Sequence, residues 1–153
     1  MYLSVSLEAK HDFDTDAVTR RLGVEPTQIR KLGTPMHPGH DALYKYSSWE
    51  WDTGHISADD AGELIAQAAA MFQSRATVMR ELADEYGGKW AIVLDGYVHS
   101  GDAPTVLLPP DFVEFCAAIG AIFQYVIDIS YDYTSKGGAA RGTAEDRPDT
   151  HRG

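Results

Sequence analysis

The residues of this chain best suited to chemistry lie in two stretches, 30–51 and 128–132. Tyr44–Asp52 alternates, so Tyr44, Tyr46, Ser48 and Glu50 share one side of a strand and Lys45, Ser47, Trp49 and Trp51 the other. Near the C-terminus Asp128, Ser130 and Asp132 likewise share one face, against Ile127, Ile129 and Tyr131. Carboxylates, hydroxyls and phenols in such a set could seat a cation, an amine or a basic segment of a partner. Trp49 and Trp51 could supply an aromatic floor. In an enzyme, Asp128 or Glu50 would be the acid/base. The competing expectations are simpler. Large aromatics in strands mostly pack, each burying about 150–250 Å², and an antiparallel sheet has a solvated polar face without any function. Packing is the favoured reading for the tryptophans. A site is the reading for Asp128, whose charge interrupts the apolar Val126–Ile129 run.

The other reactive residue types carry less. His37-Pro38-Gly39-His40, with His55 later, could ligate a metal, but no Cys or carboxylate set completes four ligands. A solvated loop is the better reading, and no metal or cofactor is expected. Cys116 falls on the apolar side of a helical pattern and reads as inert packing. Arg30-Lys31 is a basic pair near a turn that could hold an anion. No phosphate-cradling glycine loop or nucleophile-elbow motif occurs, and no catalytic residue is assigned.

Composition narrows the function classes. The formal charge of −10 argues against nucleic acid, whose recognition rests on Lys and Arg neutralising phosphates. It argues equally against an anionic membrane surface. A basic protein partner is compatible with it. One cysteine excludes an internal disulfide and fits a reducing compartment. No apolar run is long enough to span a bilayer and the first residues read as a strand, so the expectation is a cytoplasmic protein.

These residues must be positioned by a small number of elements. Leu3, Val5, Leu7 and Ala9 alternate with Ser4, Ser6 and Glu8 in a first strand. Asp14 or Thr15 caps a helix ending at Gly23. Thr27–Leu32 forms a short strand, Gly33–Leu43 a loop, and Tyr44–Asp52 a second long strand. An apolar 3.6-residue period then runs to Tyr86, opened by Ser57 and Asp60 as a capping box. About 28 helical residues would span roughly 42 Å. That is too long for one small domain, so a break is expected at Gln73-Ser74, with Ser74 as the new cap. Lys89–His99 is a strongly apolar strand expected in the centre of the sheet. Pro109–Gly120 bounds a last helix, and Phe123–Tyr133 a last strand. The first and last helices look like two related strand–helix units, each with Asp-x-Val and a terminal Gly. Residues 1–134 therefore form a single α+β domain. It has an antiparallel or mixed sheet of about five strands in the order β-α-β-β-α-(α)-β-α-β, helices on one face and a ferredoxin-like character. Residues 135–153 lack apolar periodicity and read as a disordered tail. If the first and last strands are neighbours, Ser4, Ser6 and Glu8 join Asp128, Ser130 and Asp132 in one acidic patch.

The Leu22-Gly23-Val24-Glu25-Pro26-Thr27 helix stop, Lys31 and Gly33, the Trp49 strand, and Gly120 followed by Asp128-Ile129-Ser130 resemble the bacterial family called domain of unknown function 4279. The resemblance covers most of residues 3–132 and implies the fold and a bacterial origin. It supplies no catalytic residues. The expected function is a small cytoplasmic binding or interaction protein, an immunity-type role being one concrete form, acting through an acidic–aromatic sheet face. The alternative is a small-ligand-binding protein or an enzyme with an acidic–aromatic pocket. The expected partner is a protein or a small molecule, and an open sheet face or edge could also pair two copies as a homodimer.

Overall fold

Alternation in the first ten residues produces β1 (Tyr2–Ala9), the middle strand of a five-stranded sheet ordered β2-β3-β1-β4-β5. The structure, a computed structural model, describes residues 1–39, 41–56, 61–99 and 106–130. The other strands are β2 (Gln28–Arg30), β3 (Ser47–Asp52), β4 (Lys89–His99) and β5 (Ile122–Ser130). β1 runs antiparallel to both β3 and β4, β2 is antiparallel to β3, and β5 is parallel to β4. The first four strands and their helices follow the β-α-β-β-α-β ferredoxin-like order. A final helix and β5 add a fifth, parallel edge strand. The fold is thus the α+β, mixed-sheet arrangement expected from the sequence.

Three helical connections cover one face. α1 (Thr15–Leu22) begins at Asp14, whose carboxylate accepts from the Ala17 backbone N–H at 2.9 Å. The middle connection is α2 (Gly62–Phe72), a 3-10 turn (Gln73–Arg75) and α3 (Ala76–Glu85). The last is α4 (Pro110–Ile119). α1 and α4 end alike, at Gly23 (φ 64°) and Gly120 (φ 65°), where a left-handed residue satisfies orphan carbonyls. Leu3, Val5, Leu7, Trp90, Ile92 and Leu94 point from the sheet into one core with Val18, Leu64, Phe72, Met79, Leu82 and Phe112 from the helices.

Several boundaries differ from expectation, each for a local reason. The helix breaks where expected, but Ser74 makes no cap. Arg75 stands at the N-cap of α3, and its guanidinium donates to the Leu22 carbonyl (Nε, 2.7 Å) and to the Met71 carbonyl. A cation on the carbonyls at the C-terminal ends of α1 and α2 braces the break, in place of a serine hydroxyl accepting from the first N–H groups of α3. β3 starts at Ser47 rather than Tyr44. The preceding residues pair instead with 33–36 in a hairpin arm, through Gly33 N–H to Tyr44 O, Tyr44 N–H to Thr34 O, and Met36 N–H to Ala42 O at 2.9 Å each. What read as a plain loop is a short two-stranded arm with a Pro35–Leu43 bridge. β2 is shorter than expected. β4 is interior, but β1 holds the centre, with β3 and β2 on one side of it and β4 and β5 on the other. The Ser57–Asp60 capping box, Asp132, Tyr131 and the 135–153 tail lie outside the described residues.

Candidate functional site

The face of the sheet away from the helices carries Tyr2, Ser4, Ser6 and Glu8 from β1, Ser48, Glu50 and Asp52 from β3, and Gln28 and Arg30 from β2. Period-2 alternation and the register Ser6–Glu50 and Glu8–Ser48 bring these together. Among the described residues no helix packs on this face. Ser6 and Ser48 are nevertheless only 2% and 0% exposed, because longer polar side chains overlie them.

Arg30 is the hub. Its guanidinium forms an ion pair with Glu50, donates to the Gln28 side-chain oxygen, and reaches Ser48 Oγ at 3.3 Å. The Arg30 and Glu50 side chains are 19% and 14% exposed, little for a pair on an open face. Burial works against the Arg30 charge. The bond and field of Glu50, then Tyr46 and Tyr44, outweigh it and raise the guanidinium pKa. Tyr44 and Tyr46 stand edge to face 6.4 Å apart at the base of the hairpin arm. Beyond Glu50, burial raises the Tyr2 pKa above the ordinary tyrosine range, and the fields of Asp95, Glu50 and Asp52 add to it. One end of the face is therefore acidic.

The other end is basic. A cleft of about 580 Å³ opens where β1 ends and β3, β4 and β5 begin, lined by Lys10, His11, Lys45 and Lys89 with Glu8 and Tyr46. Ala91 and Ile122 form part of its floor. The Gly87-Gly88 turn closes one wall, and it can lie this close to β1 only as glycine. A Cβ on Gly88 would sit 2.9 Å from the Glu8 carbonyl oxygen. Glu8 and Lys89 are register partners across β1 and β4, yet no ion pair joins them; Glu8 accepts from Ser6 Oγ at 3.3 Å instead. Every ion pair among the described residues uses an arginine, so among those residues the lysines of the cleft have no counter-ion.

The residues singled out from the sequence separate into three groups. Arg30, Glu50, Tyr44 and Tyr46 come together as described. Trp49 does not join them. It lies on the helix side at 0% exposure, edge to face with Phe72 and Trp90, with Nε1 donating to Thr19 Oγ1 at 3.0 Å. Trp51 faces the same side, its ring 5.2 Å from Phe72. An aromatic floor beneath Glu50 therefore does not form, because residues two apart on a strand share the core face. Asp128 is exposed on β5, opposite Tyr97, and Ser130 ends that strand opposite His99. The merging of first and last strands fails: β4 lies between β1 and β5, so Asp128 is at the far edge from Arg30. Lys31 is exposed just beyond β2, and its carbonyl closes the turn with Thr34. Among the described residues no group of three His, Cys, Asp or Glu is arranged to hold a metal. Burial raises the Cys116 thiol pKa, and Cys116 packs against the core.

The lysine cleft was not foreseen. Lys10 continues the Ser4-Ser6-Glu8 alternation and could have been placed on the polar face. Its meeting with Lys45 and Lys89 depends on strand pairing. Among the described residues no helix is long and apolar enough to cross a membrane. No curated protein and no solved structure matches the chain. A family model matches residues 1–130, and with that ferredoxin-like core extended by a parallel fifth strand the chain belongs to the family described as Domain of unknown function (DUF4279).

Proposed function

We propose that this domain is a cytoplasmic bacterial binding module rather than an enzyme, and that it engages a protein partner through the open sheet face around Arg30, Glu50, Tyr44 and Tyr46. An immunity-type role, in which a small acidic protein masks its partner, is the concrete form of this reading. The observation that carries it is the Arg30–Glu50 pair, desolvated on a face that no described helix covers. Such a pair adds little net stability to a fold, since desolvation offsets the attraction. A sheet face in contact with water does not need one. Arg and Tyr are the residue types that dominate interface hot spots, where they work as pre-ordered, partly desolvated anchors. Catalysis is disfavoured because Glu50 is already occupied by Arg30 and Glu8 by Ser6.

The test is affinity capture from the native cell at low salt, comparing wild type with an Arg30→Gln/Glu50→Gln double variant that keeps an amide pair but removes both charges. A protein retained by wild type, lost by the variant and then bound by the purified domain is the expected result. No protein distinguishing the two baits overturns the proposal.

The cleft favours a second reading, small-ligand binding. Its volume of about 580 Å³ lies within the roughly 300–1,000 Å³ usual for ligand sites.

A further inference from the structure

We propose that the cleft between Lys10, Lys45 and Lys89 binds a small phosphorylated molecule that also carries a flat ring, of the nucleoside diphosphate class. The inference deepens the small-ligand reading of the cleft and does not rest on the protein-partner reading, with which it shares only Tyr46.

Charge is the first argument. The chain carries a net −10 and contains five lysines, Lys10, Lys31, Lys45, Lys89 and Lys136. Three of the five line this one cleft. Glu8 is directly opposite Lys89 across the strands, where an opposite-charge pair ordinarily forms. It turns along its own strand to Ser6 instead. The lysines converge on a concave space and no described carboxylate neutralises them. A bound anion would supply the missing charge.

Side-chain chemistry is compatible with a phosphate group. Ammonium groups act as point charges and hold phosphate as a P-loop lysine does, without the planar match that a guanidinium makes with carboxylate or phosphate. Every guanidinium ion pair among the described residues lies outside the cleft. More than one lysine implies more than one negative charge, as in a diphosphate. Tyr46 with the apolar Ala91 and Ile122 offers a surface for a ring beside the charged end.

Range argues for a small ligand over a nucleic acid strand. At physiological salt the field of an exposed charge decays over about 8 Å. A small anion inside the cleft feels mainly the lysines. A polyanion extending along the face meets Glu50, Asp52 and Asp95 and is repelled.

Isothermal titration of the purified full-length chain at low salt tests this with ADP, pyrophosphate, inorganic phosphate and a single-stranded oligonucleotide. ADP is expected to bind more tightly than pyrophosphate, and pyrophosphate more tightly than phosphate. Each of Lys10→Gln, Lys45→Gln and Lys89→Gln is expected to weaken ADP about tenfold, as loss of a charge-assisted contact does. These side chains are exposed, so the variants should fold, and circular dichroism checks that. No heat with ADP or pyrophosphate at millimolar concentration overturns the site, as does binding unchanged in the triple variant. Equal affinity for ADP and pyrophosphate overturns the ring assignment. An oligonucleotide that binds more tightly than ADP overturns the small-ligand assignment. The Arg30→Gln/Glu50→Gln variant is expected to bind ADP as wild type does, so failure of the partner reading and failure of this one remain distinct.

Discussion

Arg30 reaches Glu50 along the diagonal of the β2–β3 ladder: the residue directly opposite Arg30 is Ser48, and the one directly opposite Glu50 is Gln28. The diagonal lets one guanidinium touch Glu50, Ser48 and Gln28 together. It also leaves both charges mostly out of water, which makes the pair sensitive to the loss of either member.

Glu50→Ala should therefore destabilise the protein by about 1–3 kcal/mol, the cost of leaving a desolvated charged donor unpaired. Arg30→Gln/Glu50→Gln should lie within about 1 kcal/mol of wild type, because the two desolvation costs disappear together. Urea unfolding measures both. A double variant as unstable as Glu50→Ala would mean that the charges themselves hold the face in place.

Trp49 and Thr19 should be energetically coupled through the 3.0 Å bond from Nε1 to Oγ1. Thr19→Val is expected to cost about 1 kcal/mol in wild type and markedly less in a Trp49→Phe background. Trp49→Ala should cost about 3–5 kcal/mol through the cavity it leaves. A double-mutant cycle with no coupling would remove the bond from the account of why a tryptophan occupies this position.

Gly88→Ala tests the close approach that shapes the cleft wall. Its Cβ would lie 2.9 Å from the Glu8 carbonyl oxygen and 3.0 Å from Leu7 Cδ1. The backbone oxygen cannot swing away, so the start of β4 must shift, at about 1–3 kcal/mol. Thermal unfolding reads the loss, and an unchanged midpoint would show that β1 and the turn do not meet this tightly.

Alkaline pH should weaken the fold partly through Tyr2. Its folded pKa is raised above the ordinary tyrosine value of about 10, by burial first and then by Asp95, Glu50 and Asp52. A raised folded pKa means that the native state holds the proton more tightly than the unfolded chain. The stabilisation is complete below pH 10 and is lost as pH rises through the folded value. Burial moves Tyr86 and Tyr125 the same way, so Tyr2→Phe should reduce the alkaline loss without abolishing it. Urea midpoints at pH 9 and pH 11 measure this; identical losses in wild type and Tyr2→Phe would remove Tyr2 from the account.

Much of the fold was legible because it depends on local periodicity. The alternation of Leu3, Val5, Leu7 and Ala9 defines β1, the Asp14 cap and Gly23 bound α1, and Gly120 stops α4 in the same left-handed conformation. The helix break at Gln73 was legible from length alone. What closes that break was not, since one of the two carbonyls that Arg75 binds, that of Leu22, is 53 residues away in the chain.

The candidate site divides along the same line. Which side chains share a face follows from local order alone: Ser48 with Glu50, and Trp49 with Trp51, because side-chain direction in a strand has a period of two. Which face meets the helices, which strands become neighbours, and so which polar residues converge depends on the assembled fold. Inserting β4 between β1 and β5 separated Asp128 from Arg30 and brought Lys89 beside Glu8. Strand order is set by burying the whole apolar face at once. That is a sum over distant residues, which no local spacing encodes.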